Sequence, residues 1–417
     1  MVCPPFLSMA KHTTARLSRL RASGAGNDAA TNRRDACTVL RLLRERDRDP
    51  AETMKGLSEF SGSRLSAAFA LLDREGLVDD TGESKLKIAR RPTLPRINPH
   101  YGHVIGVDVG GSNLRIALAD LNGRIIGKWS ASTRSTSSPE MVVKQIRKGV
   151  HDLLQQASIP RSSLLAVAAG APGVTDRDAG VVFATSYLKG WKNVPLRSLL
   201  ESALHVPAVV ENDVKLAAVG ENWIGAARGI PDFVFLAIGT GIAAGIFVNG
   251  QLVHGADWVA GEVGYLIVPG TPHTPARQGS PGSLESMIGG EGIRQYWLRS
   301  NGEQATNRTG DLSATGIFYH ALAGNRRAKA VLEQSARILA FAVYNISTVL
   351  NSSLFVLGGG VGTNGPLLAA TRRILEPYTQ PSRPKLITSA LGAEAQLIGA
   401  IRLALDRAES FIDSQLQ

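Results

Sequence analysis

The stretch VIGVDVGGSNLRIALAD, residues 104–120, is an apolar run that ends in Asp108, turns through Gly110, Gly111 and Ser112, and resumes with Arg115 near its start. Glycine lets backbone N–H groups point into a concave turn with no Cβ in the way, and such a nest holds phosphate oxygens. A second turn of this kind is Gly239-Thr240-Gly241. On facing lobes the two would grip a polyphosphate from both sides, and Asp108 suits a Mg²⁺ ion, directly or through water. A tight turn is the commoner use of one glycine pair; the matched pair is the stronger sign. A third cluster, Gly358-Gly359-Gly360-Val361-Gly362, follows the apolar run LFVL and precedes a helix. It suits a nucleotide's adenosine part or simply a sharp turn.

Glu211-Asn212-Asp213 stands where an apolar strand gives way to a helix. Asn212 and Asp213 there can hydrogen-bond sugar hydroxyls, and Asp213 can take a hydroxyl proton as general base. Plain N-capping is an equally good use of both residue types. Glu262 in AGEVGY and Glu285 in GSLES are two more acceptors suited to hydroxyls. A base, a metal-bound polyphosphate and backbone donors are the cast for in-line attack of a hydroxyl on a γ-phosphate.

These groups need a scaffold. The chain has 417 residues and is 44% apolar, enough for a large core and two or three domains. No apolar run approaches the length of a membrane span. From residue 103 strands and helices alternate, which makes an α/β protein. Strands are expected at 103–108, 114–120, 124–130, 164–169, 207–211, 232–238, 243–248, 354–357 and 385–389. Helices are expected at 139–157, 214–226, 284–299, 326–350, 366–376 and 393–407. Residues 104–127 and 233–255 share one plan: strand, glycine turn, strand, Asn-Gly turn, strand. Asn-Gly at 122–123 and 249–250 is a strong hairpin signal. Two copies of one meander imply two similar lobes, 103–230 and 231–417, with the last helix able to pack back on the first lobe.

The front of the chain differs. The net charge is +11, and residues 1–100 hold 18 basic against 12 acidic side chains. Residues 1–32 read as a disordered basic arm, with a transit peptide as the other reading of their Arg and Ser content; they lack the apolar segment and cleavage site of a signal peptide. Residues 33–78 read as three helices, the third opened by Ser61 as N-cap and closed by Gly76. Lys85, Lys87, Arg90 and Arg91 follow the turn residues Asp80-Thr81-Gly82, as on the basic edge of a β-hairpin wing. Residues 33–92 thus fit a winged helix-turn-helix, with a small dimerisation domain as the other reading, and the three prolines of 93–102 suggest a linker. Helix 62–74 would enter the major groove with Ser63, Arg64, Ser66 and Ala67 toward bases, the wing cations lying on phosphates. The two cysteines, Cys3 and Cys37, exclude a disulfide framework and suit a reducing, cytoplasmic compartment.

Asp108-Val-Gly-Gly-Ser-Asn-Leu-Arg115, Gly170-Ala-Pro-Gly-Val174, Glu211-Asn-Asp213, Gly239-Thr-Gly241, Gly261-Glu-Val-Gly264 and Gly358-Gly-Gly360, in that order, resemble the ROK family of bacterial repressors and sugar kinases. The resemblance covers roughly residues 35–405. It implies an actin-like, hexokinase-type fold of two lobes with a sugar in the cleft. It matches Asp213 to the kinases' catalytic base, and Asn212, Glu262 and Glu285 to sugar ligands. It matches Asp108, Gly110, Gly111, Ser112, Arg115, Gly239, Thr240 and Gly241, with Gly359 and Gly360, to phosphate and nucleotide contacts. Members of the family usually carry a histidine after GE-x-G and a cysteine-rich stretch that together bind structural Zn²⁺. Here Tyr265 takes the histidine's place, able to donate one hydrogen bond to a sugar or to narrow the pocket. Ala276, Gln278 and Ser283 stand among the positions where thiols belong, so no tetrahedral N/S site can be built from them and no zinc is expected.

Members with such an N-terminal domain are sugar-responsive transcription factors. The resemblance therefore implies a regulator, a repressor in the first instance, that binds operator DNA and a sugar or sugar-phosphate effector as a homodimer or dimer of dimers, with no membrane partner and no required cofactor. The alternative is a glucokinase-like, ATP-dependent sugar kinase that carries a DNA-binding domain and uses ATP and Mg²⁺. Asp213 and both glycine turns favour the alternative. The altered zinc stretch, the lost histidine and Ala243 after the second turn oppose it.

Overall fold

A computed structural model describes residues 26–45, 50–79, 95–133, 138–184, 188, 190–273, 280–301, 312–379 and 384–416. The chain opens with helices α1 (Gly26–Glu45), α2 (Pro50–Ser58) and α3 (Gly62–Arg74), then strands β1 (Val78–Asp79) and β2 (Arg96–Ile97). Helix α1 begins at Gly26, inside the stretch expected as a disordered arm. Ser61 caps α3 by accepting from the Arg64 N–H, and Gly76 closes it at φ +75°.

Two five-stranded sheets follow. The first comprises β3 (His103–Val109), β4 (Asn113–Asp120), β5 (Ile125–Ser132), β6 (Leu164–Ala171) and β10 (Ala208–Asn212), in the order β10-β6-β3-β4-β5. The second comprises β11 (Phe233–Ile238), β12 (Ile242–Val248), β13 (Gln251–Leu252), β14 (Leu354–Gly358) and β15 (Lys385–Thr388), in the order β13-β12-β11-β14-β15. Each is an antiparallel three-strand meander extended by two parallel strands, so the internal echo is a repeated sheet. Asn249-Gly250 makes a two-residue hairpin with both residues at positive φ. Asn122-Gly123 sits instead in a four-residue loop between β4 and β5, held by Asp120, whose carboxylate accepts from the Asn122 and Arg124 N–H groups.

A small sheet, β7 (Val174–Asp176), β8 (Val181–Ala184) and β9 (Lys192–Val194), flanks the first lobe. The helices are α4 (Pro139–Gln156), α5 (Leu196–Leu204), α6 (Asp213–Ile224), α7 (Glu285–Ile288), α8 (Gly290–Asn301), α9 (Ala314–Leu322), α10 (Arg326–Leu350), α11 (Gly359–Gly362), α12 (Gly365–Leu375) and α13 (Ala395–Leu416). The small sheet, α5 and α9 were not among the sequence expectations. The helix expected at 284–299 is two, broken at Gly289. A Cβ there would meet the Glu285 and Thr240 carbonyl oxygens at 2.6 and 3.2 Å, and the next residue, Gly290, donates its N–H to the Gly239 carbonyl at 2.7 Å.

Helix α13 does return to the first lobe. It lies against β3 so closely that a Cβ on Gly106 would meet the Leu397 carbonyl oxygen at 3.1 Å. It also packs on α6, where a Cβ on Gly399 would fall 1.9 Å from the Leu216 carbonyl oxygen. The same helix receives the N-terminal domain. Ala36, Val39, Leu40 and Leu43 of α1 share one apolar core with Leu405, Ala408 and Ile412. Arg44, buried, pairs with Glu409 at 2.7 Å and Asp406 at 3.2 Å.

The expected linker at 93–102 is corrected accordingly. Val78 pairs with Ile97 and Asp79 with Arg96, and the Asn98 N–H donates to the Leu77 carbonyl. Ile97 is buried in the shared core, so residues 96–98 belong to a packed body. Among the described residues no helix is long and apolar enough to cross a membrane.

Candidate functional site

Asp108 of β3, Gly170 of β6 and Glu211 of β10 stand in register across three parallel neighbours, at the carboxyl end of the first sheet. This end of a parallel sheet is where open α/β folds bind ligands. Gly170 is the spacer: a Cβ there would meet Leu216 at 2.6 Å and the Asp213 Cα at 3.6 Å. Its absence lets the first turn of α6 sit down beside Asp108.

Asn212 caps α6. Its Oδ1 accepts from the Lys215 N–H at 3.0 Å, and its Nδ2 donates to the Gly173 carbonyl at 3.1 Å. The capping use is therefore realised, and both ends of the amide are committed to the scaffold. Asp213, the next residue, accepts from the Val214 N–H at 2.8 Å. Burial, then the nearby Asp108 carboxylate and the Glu262 carboxylate, push its carboxyl up to about 7. A carboxyl poised there exchanges protons near neutral pH, as a general base must.

The second lobe supplies the facing acids. Gly261 has φ +95°, and a Cβ on it would lie 2.0 Å from the Ala244 carbonyl oxygen; its own carbonyl accepts from the Ala244 N–H at 2.7 Å. Only glycine fits, and it clamps the start of AGEVGY onto β12. Glu262 follows, raised by burial and by Glu285 and lowered by Lys215. Glu285, the first residue of α7, accepts at Oε2 from the Ile242 N–H at 2.8 Å, and burial raises its carboxyl. Asp213 thus feels the Glu262 carboxylate and Glu262 feels Glu285, which sets the three acids near one another across the two lobes.

The turn residues divide. Gly110 donates its N–H to the Asn113 carbonyl at 2.9 Å, and the Gly110 and Ser112 carbonyls accept from Thr133; Gly111 and Ser112 are exposed. Gly239 donates to the Gly241 carbonyl at 3.0 Å, and Thr240 is exposed beside it. Gly359 has φ +77°, and a Cβ there would strike the Ile238 carbonyl at 2.4 Å, so its use is the sharp turn; beside Gly360 the Cβ position is open.

Arg115, expected at a phosphate, turns to Asp108. Its Nε and Nη2 reach Oδ2 at 2.9 and 2.7 Å, while Nη1 donates to the Ala393 carbonyl ahead of α13. Burial raises the Asp108 carboxyl and Arg115 opposes that rise. Both guanidinium bonds fall on Oδ2, so a magnesium ion at Asp108 would have to be met by Oδ1 or displace the arginine.

Tyr265, expected as a sugar contact, is 56% exposed and stands outside the buried carboxylates. The zinc donor set does not fit. Tyr265 and Ser283 offer neither thiolate nor imidazole, and Ala276 and Gln278 lie outside the described residues.

On the N-terminal domain Ser63 and Ser66 are exposed along α3 and Ala67 is partly so. Arg64 is corrected. It pairs with Asp35 of α1, Nη2 to Oδ1 at 2.5 Å and Nε to Oδ2 at 2.8 Å, and lies over the Phe60 ring, so it holds the helices together. Lys85, Lys87, Arg90 and Arg91 lie outside the described residues.

Sequence reasoning missed two groups beside the acids, Lys215, which is buried, and His254, which is partly so. His254 Nε2 meets Glu211 Oε2 at 2.8 Å, and Lys215 donates Nζ to the Trp258 carbonyl at 2.8 Å. No local signal marks either: a lysine in a helix's first turn ordinarily reads as solvated.

A family model described as "ROK family" matches residues 104–407. A glucokinase from Halalkalibacterium halodurans is 30% identical over 71% of this chain and 92% of its own length. A xylose repressor from Caldicellulosiruptor bescii is 25% identical over 82% of this chain and 87% of its own. The crystal structure of a ROK family transcriptional regulator, a homolog of the E. coli MLC protein, superposes with a TM-score of 0.74 over 93% of this chain and 99% of its own, at 20% identity, and so shares the fold along nearly the whole chain. The cleft between two hexokinase-type lobes and the matched sequence lead to one conclusion: the chain belongs to the ROK family.

Proposed function

We propose that the protein is a sugar-responsive transcriptional regulator, acting as a repressor. Its N-terminal domain reads operator DNA as a homodimer, and a sugar or sugar phosphate bound between Asp213, Glu262 and Glu285 biases lobe closure. The observation that carries this reading is the shared core of α1 and α13. The helices of the DNA-binding type are fastened to the helix that also lies against the sugar-kinase-type lobe, so occupancy of the cleft has a rigid route to the reader. The xylose repressor resemblance, which extends beyond the kinase-like lobes into the front of the chain, supports it. Effector binding controls DNA affinity only if the ligand prefers one of the two states. No zinc is needed in this reading, and the protein works in the cytoplasm.

A gel-shift titration against operator-like DNA tests the proposal. Sequence-preferring, salt-sensitive binding that shifts with sugar supports it; binding indifferent to sequence and to every sugar overturns it.

One observation favours a second reading, a sugar kinase. The Asp213 carboxyl, raised to about 7, suits proton abstraction from a hydroxyl. ATP with Mg²⁺ would supply the transferable phosphoryl group, met by the two glycine turns and Asp108. A coupled assay over a sugar panel decides: turnover abolished by Asp213→Asn establishes the kinase.

A further inference from the structure

The junction that carries Asp213 and the loop that carries Glu262 are joined by two enclosed ties that sugar contact does not require. Glu211, with no exposed surface, uses Oε1 to accept from the Asn212 N–H and Oε2 to accept from His254. A carboxylate only accepts, so Nε2 of His254 carries the proton. Lys215, 3% exposed, donates Nζ to the Trp258 carbonyl. Trp258 has φ +65°, a conformation that a bulky residue holds only when its surroundings impose it. The Lys215 bond falls on that residue's own carbonyl, and the His254 ring meets the indole edge-on with centroids 5.5 Å apart. The loop is thereby pinned at its start by His254, at its middle by Trp258 and at its end by the Gly261 clamp on β12.

We propose that Lys215 and the Glu211–His254 pair are positioning residues: they hold residues 254–262 in the one conformation that brings Glu262 to Asp213, and so set ligand affinity without touching the ligand. The functional half of this proposal rests on the sugar-cleft reading above; the structural half does not. Residues next in sequence to known contacts ordinarily face away and are dismissed. Here β10 and α6 send Asp213 into the crevice while their enclosed neighbours Glu211 and Lys215 reach across to the other lobe's loop. The loop is therefore held by side chains from β10 and α6 as well as by its own bonds, the Ala260 N–H to the His254 carbonyl and the Glu262 N–H to the Val259 carbonyl.

The test is hydrogen exchange read by mass spectrometry on the full chain, with Lys215→Met, His254→Ala and His254→Gln. Glutamine keeps a side-chain N–H donor; alanine does not. In K215M and H254A the amides of 254–262 exchange about tenfold faster, β12 keeps its protection, and H254Q restores most of the loop's protection. Calorimetry with D-glucose, D-xylose and N-acetyl-D-glucosamine, each alone, supplies the second readout. Whichever binds the wild type binds K215M and H254A about tenfold more weakly at unchanged stoichiometry, and H254Q regains affinity. Unchanged exchange in 254–262, a rise spread equally over β12, or full affinity in a loosened variant overturns the proposal. If none of the three sugars binds the wild type, the sugar-cleft reading fails for them, while the exchange data still decide whether the ties hold the loop. Should K215M fail to fold, the alanine and glutamine pair at 254 carries the test.

Discussion

The two sheets repeat one plan, yet their glycine turns are equipped differently. Across the first turn Asp108 faces Arg115; across the second Ala237 faces Ala243. The first turn is thus electrostatically loaded and tied to the approach to α13 through Arg115 and Ala393. The second is neutral, and is braced by the Gly290 N–H on the Gly239 carbonyl. The lesson is that the apolar alternation encodes the scaffold twice, and that the chemistry resides where the two copies disagree.

The largest expected effect comes from the second sheet's clamp. Gly261→Ala forces a side chain into a positive-φ site against a carbonyl, and should destabilise the protein by about 3–5 kcal/mol by urea denaturation. Next is the loaded pair of the first sheet. Arg115→Ala leaves a buried carboxyl without its cation and should cost about 2–3 kcal/mol. The double variant Asp108→Ala/Arg115→Ala recreates the alanine pairing of the second sheet. It should regain more than half of that loss; a strictly additive double mutant would show that the pair is not coupled.

Asp213→Asn should then raise stability, by about 2 kcal/mol at pH 8. The sign follows from the raised carboxyl: the folded state holds the proton up to about pH 7, the unfolded chain releases it near 4. Wild-type stability from this group therefore falls as pH rises from 4 to 7 and is flat above. Denaturation midpoints of the two proteins should converge at pH 4; a constant gap contradicts the assignment. The smallest effect separates the Asn-Gly turns. Asn249→Ala, at φ +52°, should cost about 1 kcal/mol, and Asn122→Ala under about 0.5, because Asp120 holds that loop through backbone groups.

Much of this was legible before any coordinates. Period-two apolar runs located the strands of both sheets except the short β13, which fell within the echo, and Ser61 and Asn212 marked helix starts, because these are local effects. Asp213 could be singled out from its place at a strand–helix junction, and Glu262 and Glu285 as acidic side chains in AGEVGY and GSLES. The partner of Arg64 was illegible: its position on α3 is local, but Asp35 lies a helix away. Lys215, His254 and Arg44 were illegible for the same reason, since a charged residue reads as solvated until a distant segment covers it. The small sheet and α5 are too short for periodicity to outweigh their turns.

Helix α13 carries one more consequence. The segment that completes the core under α1, and that encloses Arg44, is drawn from residues 395–416, far from α1 in sequence. A chain without residues 395–416 would leave that apolar face of α1 uncovered, so the packing of the N-terminal helices depends on a segment far away in sequence.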